Sequence, residues 1–512
     1  HNMSLLDDVS LMITPNGVAE DVLFGVLPEP TRGTAVTINP TFDTTIPIND
    51  AGSGWDGAIG GSSTIAYADG GVKLTRDGGQ CKLRVRNAAD DNSGMTVGLT
   101  YKLVYEVIEN NGALFRYYQG ASTTNIASTV GTHTYYFTQE TSTVFQLENY
   151  NDATNITLDN VYIYPYLSSD MDFTRATTAT YVNYADTITS AASGVPRLDY
   201  TGASCPHILS EPQRTNLITY SEDFATTFTH KVDATLTPNH GVSPTGDNNS
   251  TRVQWADSTA FVYRSESIST DTSASIFVKG TSGETVMFGF GGNVTTGDIY
   301  TFDGSWQRII FTGSSGTQLF LSSYGGATAT DFEVFGLQLE AGSCATSYIP
   351  TSGSTVTRNK DVFTRTGIGD LIGTAGVLYL EVASIGSGVQ ESIALSDGTT
   401  DNRVLFYYST ASSVPNCQIK IAGSASSLSF STGITGTDFN KFAIRYQDDA
   451  LHLFVNGSLE ETATGTWTVP AFDRLLFDNG GGTGGSAFYG KIRNLQVYKT
   501  ALTDAQCNAL TA

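Results

Sequence analysis

The sequence predicts an all-β fold built from tandem β-sandwiches, and three observations carry that prediction. Charged residues make up only 15% of the chain and Gly numbers 53, while Thr, Ser, Tyr, Val and Phe fill long stretches that hold little helix vocabulary. Period-two alternation recurs in runs such as KLVYEV and TVFQLEN, which sends successive side chains to opposite faces of a strand. Clusters of Asp, Asn and Gly separate these runs and supply turn chemistry. At 512 residues the chain exceeds what one core serves, so about three to four domains are expected.

Residues 1–35 read as a short apolar leader in which a Thr14-Pro15-Asn16-Gly17 turn precedes the run VLFGVLP. A segment too short to fold alone yet rich in Leu, Val, Met and Phe docks on something, either this chain's own first domain or a partner. Residues 36–166 give strand after strand, from GGVKLTRD through YKLVYEVIE to ITLDNVYIYP, and predict a jelly-roll β-sandwich. Residues 167–213 break the rhythm and read as an ordered connector, since loops of that length are usually functional or interface-forming. A second sandwich is expected over 214–356. Its ending, DFEVFGLQLEAG, mirrors LDNVYIYP of the first and points to a degenerate repeat. After a linker at 357–374, a third sandwich occupies 375–512, where Asn456-Gly457 predicts a type I′ hairpin and Thr503 or Asp504 can cap a final helix.

Three stretches also carry resemblances. INPTFDT (38–44) with Trp55, the strand entry Gly98-Leu99-Thr100-Tyr101 and LDNVYIYP (158–165) resemble the jelly-roll carbohydrate-binding modules found beside glycanases. LHLFVNG followed by GKIRNLQVYKTALTDAQ resembles the concanavalin A-like, laminin-G-like lectin sandwich. DFTRATTATYVN, PRLDYTG and LSEPQRTNLITYSEDF, with QLEAG through SYIPTSG, are similar to segments of bacteriophage fibre, spike and head-fibre proteins. The last of these resemblances implies a virion protein, in a tail fibre, a spike or a capsid decoration, that is assembled in the host cytoplasm and displayed on the virion surface.

Charge and cysteine usage exclude other classes. With 27 Lys+Arg against 50 Asp+Glu, the net charge of −23 disfavours nucleic acid and anionic membranes. The five cysteines, Cys81, Cys205, Cys344, Cys417 and Cys507, show no C-x-x-C pair and read as isolated thiols, with a cross-domain disulfide as the alternative. No apolar run reaches transmembrane length, and the start lacks the basic region of a signal peptide.

Catalysis needs a constellation, and none is legible. The E-x-D-x-x-E strand of concanavalin A-like glucanases is absent, and Glu381, Glu460 and Glu461 lack partners at strand spacing. His133, His207, His230, His240 and His452 are scattered, and no G-x-S-x-G, H-E-x-x-H or P-loop occurs; GGNVTTG and GGGTGG read as plain loops. The chain is therefore expected not to be an enzyme.

Sugar binding needs only an aromatic platform and forked polar groups. The candidates are Trp55, Tyr117 and Tyr118, with Asp56 and Asn149, in the first sandwich, and Tyr324 in the second. In the third they are Tyr407, Tyr408 and Trp467, with Asp397, Asp401 and Asn402. Trp55 serves equally well as core, at least one aromatic of the first set must face inward, and Trp255 and Trp306 read as core. No cofactor is required, but resemblance to the binding modules implies a structural calcium joining Asn39 and Asp43 to Asp159, against the plainer alternative of an Asx turn and a strand-end carboxylate.

The expected function is adsorption to bacterial surface polysaccharide without catalysis, with the leader contacting other virion proteins and a homo-oligomer, a trimer by preference, supplying avidity. A glycan depolymerase and a purely structural virion protein are the alternatives.

Overall fold

The computed structural model describes residues 8–26, 54–68, 70–86, 95, 97, 100–119, 122–140, 145–165, 170–268, 270–386, 388, 390–409, 414–429 and 434–512. The fold is all-β, with antiparallel pairing between its strands and short helices at Phe224–Thr227 and Asp504–Thr511. The chain forms two compact units, Glu29–Ser168 and a second one made of His1–Pro28 with Ser169–Ala512.

The unit Glu29–Ser168 is a sandwich of two five-stranded sheets. One runs Gly54–Ile59, Cys81–Arg86, Phe145–Asn149, Phe115–Gln119, Ser122–Ile126; the other runs Gly131–Thr138, Thr100–Asn111, Thr154–Pro165, Gly71–Arg76, Thr64–Ala68. The alternation of TYKLVYEV becomes one face carrying buried Tyr101, Leu103, Tyr105 and Val107, which meet Trp55, Leu83, Phe145 and Leu147 in the core.

The second unit contains a sandwich with the same strand order. Its sheets run His230–Val232, Phe261–Ile268, Gly316–Ser322, Thr285–Gly291, Asp298–Thr301 and Gln307–Gly313, Thr272–Gly280, Asp331–Ala341, Thr251–Trp255, Ala234–Thr237. Taken in chain order, each strand occupies the place of its counterpart in the first sandwich. The last strands share a bulge as well, at Asn160 (φ 49°) in Thr154–Pro165 and at Gly336 (φ +63°) in Asp331–Ala341. A left-handed residue is what such a bulge needs, and Asn and Gly are the residues that adopt it most readily.

The third sandwich is assembled from distant pieces of chain. Its sheet runs from Ser424–Ser429 through Pro415–Ile421, Arg403–Tyr408, Glu391–Ser396, Arg474–Leu476, Val362–Thr366, Met171–Thr174 and Val22–Val26. It continues through Leu11–Ala19, Gly490–Tyr498, Gly376–Ser384, Asn440–Gln447 and Ala450–Val455 to Ser458–Thr464. The path folds onto itself, since Phe406 of the first half lies 4.8 Å from Phe442 of the second, ring centre to ring centre. Strand Gly376–Ser384 is apolar on both faces: one lines the sandwich, and the other lies under Val9, Leu502 and Cys507 near the last helix. Thr503 caps that helix with a capping box to Gln506, and Asn456 and Gly457 both take the positive φ of a type I′ turn.

The leader is the main departure from the sequence expectation. Residues 11–26 are not a free attachment segment; they form a hairpin within the third sandwich. Leu11, Met12 and Ile13 pair with Val497, Gln496 and Leu495, and Met171 pairs with Leu23. Leu11, Ile13 and Leu23 are fully buried, which is why this short stretch is so apolar. The modules are consequently nested and not strung in line. The first sandwich is inserted between two strands of the third, and the second is inserted where Arg214–Asn216 pairs with Val356–Arg358.

Candidate functional site

The outward faces of the two jelly rolls are equivalent in position and differ in chemistry. In the first, Leu83, Val85, Phe145, Leu147, Phe115 and Tyr117 face the core, so their neighbours face out. The registers set Asp56, Arg84, Gln146 and Tyr118 in one row and Lys82, Glu148 and Arg116 in the next. Arg84 grips buried Asp56 through Nε at 2.5 Å and Nη2 at 2.8 Å, and Glu148 accepts from Arg116 at 2.6 Å and Arg76 at 3.2 Å. Lys82 Nζ stands 4.1 Å from the Tyr118 ring centre, and Arg116 lies 4.4 Å from that of Tyr150.

In the second, the corresponding rows read Val232, Phe261, Ser322, Met287, Ile299 and His230, Tyr263, Phe320, Gly289, of which Ser322, Met287 and Phe320 are buried. His230 and Tyr263 stack at 4.2 Å and 3°, Phe261 lies 6.0 Å from Tyr263, and Tyr324 continues the row 6.3 Å from Phe261. This row of four rings on a rigid sheet is not visible in the sequence, where only Tyr324 stands out. The signal available was the alternation in FVYRSE, which puts Phe261 and Tyr263 on one face.

Several expected platforms are corrected by burial. Trp55, Tyr117 and Tyr408 are core residues that offer no face to a ligand: Tyr117 stacks on Phe145 at 5.6 Å, and Tyr408 is enclosed beside Phe406. Tyr117 and Tyr118 are adjacent in one strand, so strand parity lets only one face out. Asn149 is also buried and donates to the carbonyls of Leu74 and Thr154. Trp255 is core as expected, whereas Trp306 is half-buried and donates Nε1 to Val242 O at 3.0 Å.

In the third sandwich Tyr407 is half-buried. Asn402 donates to Asp397 at 2.8 Å and accepts from Ala422 N, while Asp401 pairs with Lys420 at 2.9 Å. Burial alone would raise the Asp397 carboxyl, but hydrogen bonds from Thr399 and Asn402 outweigh it and hold the pKa down. Trp467 is tied elsewhere, donating Nε1 to Gln447 O at 3.1 Å, so it does not join that loop. Of the implied calcium ligands, Asn39 and Asp43 lie outside the described residues and Asp159 sits at the bulge of its strand. Among the described residues no cluster of three or more His, Cys, Asp or Glu is gathered for a metal ion.

The connector segments converge on a buried ion cluster. Glu211 accepts from Arg197 at 2.6 Å, from Arg358 at 2.5 Å and from Ser347 Oγ at 2.7 Å, while Asp361 accepts from Arg175 at 3.0 Å, from Glu211 N at 2.9 Å and from Arg197. Burial alone would raise Glu211, but Arg358 and Arg197 outweigh it and hold its pKa well below the carboxylate range. Arg175 comes from DFTRATT, Arg197 from PRLDYTG and Glu211 from LSEPQRT, so the motifs that carry the phage resemblance pack into one structural knot.

Comparison with known proteins bears on the third sandwich. Residues 382–508 match the concanavalin A-like lectin/glucanases superfamily. The C-terminal part of this all-β chain therefore carries the lectin-like sandwich expected from LHLFVNG and GKIRNLQVY, completed by strands from outside the matched stretch. No curated protein sequence matches the chain. Among solved structures, the CBM40 of Ruminococcus gnavus IT-sialidase bound to alpha2,3 sialyllactose is 20% identical, with 28% of this chain and 84% of that one covered at a TM-score of 0.25. The SAP-like pentraxin of Limulus polyphemus is 15% identical over 27% of this chain and 70% of its own, at a TM-score of 0.23. A putative carbohydrate binding protein from Bacteroides ovatus is 13% identical over 57% of this chain and 83% of its own, at a TM-score of 0.18.

Proposed function

We infer that this chain is a non-catalytic glycan-binding protein that uses the outward faces of its sandwiches and works on the exterior of a bacteriophage particle. The row His230, Tyr263, Phe261 and Tyr324 carries the binding reading. His230 is exposed and Tyr263, Phe261 and Tyr324 are half-buried, so part of each ring stays open, and a contiguous row of them marks a contact surface whose rings suit the C–H face of a pyranose. The first sandwich supplies the polar complement, with Tyr118 beside Gln146 and Arg84 on the equivalent face.

The absence of catalysis is supported by how the acids are employed. Asp56 is held by Arg84, Glu148 by Arg76 and Arg116, and Glu381 faces Arg493 at 3.7 Å. Glycoside hydrolysis needs an acid whose pKa is raised, and Glu211 and Asp397 are shifted the other way. The particle assignment is supported by the resemblance of the connector motifs to phage virion proteins and by five cysteines that are all free, as fits assembly in a reducing cytoplasm. Display in many copies, as in a trimer, raises weak sugar sites to useful avidity.

A glycan microarray probed with the wild-type chain and with a Phe261→Ala/Tyr263→Ala variant tests the reading. Retention by wild type and loss by the variant supports it; a blank array for wild type removes it. A purely structural virion protein is the second reading, favoured by the exposure of Val232 (40%) and Ile299 (43%) at the two ends of the cross-strand row that passes through Phe261. A blank array, together with images of the particle showing this face covered by a neighbouring protein, would select it.

A further inference from the structure

A cleft of roughly 380 Å³ opens where the connector, the second sandwich and the lectin-like sandwich meet. This is within the size range of small-ligand sites, which favour such junctions. Arg308 and Lys491 line it, and neither takes part in an ion pair among the described residues. Glu340 and Glu211 act on Arg308 through space without reaching ion-pair distance.

Arg308 donates Nη1 to Thr346 O at 2.7 Å and Nη2 to Ser275 Oγ at 2.8 Å, which fixes its plane and leaves further N–H donors unused. The acids at the cleft are already engaged. Glu211 is held by Arg197 and Arg358, and Asp199 accepts from the amides of Val182 and Thr201, each at 2.8 Å. The hydroxyls of Thr201 and Thr437 have no hydrogen-bond partner among the described residues, and Ile310, 43% exposed, adds an apolar wall with Ile385.

We propose that this cleft binds an acidic monosaccharide unit of the hexuronate class, with Arg308 and Lys491 taking the carboxylate and Thr201 and Thr437 the ring hydroxyls. A guanidinium held in plane forks onto a carboxylate, the ammonium adds a point charge, and the isoleucines meet the C–H edge of the ring. The junction thus selects for charge, whereas the aromatic row of the second sandwich selects for ring faces. The site stands whether or not that row holds a glycan.

Calorimetry on the full chain with methyl β-D-glucuronide, methyl β-D-glucoside and inorganic phosphate tests the assignment. The glucuronide binds saturably, the neutral glucoside binds at least about tenfold more weakly, and Lys491→Gln weakens the glucuronide by about tenfold without shifting Tm. Arg308→Gln has the larger effect; if it also lowers Tm, the half-buried Lys491 decides the matter. The Phe261→Ala/Tyr263→Ala variant keeps glucuronide binding, so loss of the aromatic row and loss of this cleft read out separately. Equal affinity for glucuronide and glucoside, no binding of either, or indifference to Lys491→Gln overturns the proposal. Phosphate competing as well as the glucuronide would reduce the cleft to a general anion site and overturn the sugar assignment.

Discussion

Arg175 donates Nη1 to Asp361 Oδ1 at 3.0 Å across 186 positions of sequence, with both side chains out of contact with solvent. Arg197 shares the same carboxylate, so Asp361 ties two connector arginines to the segment entering strand Val362–Thr366. Removing one member of such a cluster strands buried charge, which costs far more than the intact pair is worth. Asp361→Ala is expected to destabilise its unit by about 3–5 kcal/mol in denaturant unfolding. Sandwich Glu29–Ser168, a separate unit, should keep its own transition.

Stability should also fall on mild acidification through His207. Burial pushes its pKa down from 6.5 to about 4, with Asp199 opposing at 3.5 Å. The unfolded chain therefore takes the proton first: the contribution is complete above about pH 6.5 and is lost as pH falls toward 4. Between pH 7.5 and pH 5 the wild type is expected to lose about 2 kcal/mol more than His207→Gln. Parallel curves for the two proteins would remove this assignment.

The N-terminal hairpin gives a third prediction. Leu11 and Ile13 are fully buried at the seam of the lectin-like sandwich, so Leu11→Ala and Ile13→Ala should each cost about 2–5 kcal/mol in that unit's unfolding. A segment that serves only as an attachment to a partner would tolerate both without loss.

That hairpin also shows where sequence reading stops. Local signals succeeded: Asn456-Gly457 formed its turn, Thr503 capped its helix, and the alternation in KLVYEV named its core face. Pairings between Leu11 and Val497, or Arg214 and Arg358, leave no local trace, so nested insertions looked like modules in a line. The site suffered for a related reason. His230 and Tyr324 join Phe261 and Tyr263 only through the tertiary fold, while Tyr408, read as a rim residue, is buried by layer packing. The repeat of one module was suspected from two strand endings, and the shared strand order and bulge now carry it.

The bulge yields a paired test. Gly336 has φ +63°, and an added Cβ would come within 3.1 Å of the Tyr348 ring, so Gly336→Ala should cost more than about 1 kcal/mol. Asn160 holds the equivalent left-handed place at φ 49° and its Nδ2 donates to Glu106 at 2.7 Å, so Asn160→Gly should leave the backbone unstrained and cost about 1–2 kcal/mol through the lost hydrogen bond alone. Thermal melts of both variants check the equivalence.

The central claim is binding without cleavage. Incubating the purified chain with capsular or lipopolysaccharide glycans from candidate bacterial hosts, then measuring both retained protein and new reducing or unsaturated sugar ends, tests it most directly. Saturable retention that Phe261→Ala/Tyr263→Ala abolishes, with the sugar chains left at full length, is the predicted result. Progressive shortening of the polysaccharide would contradict it.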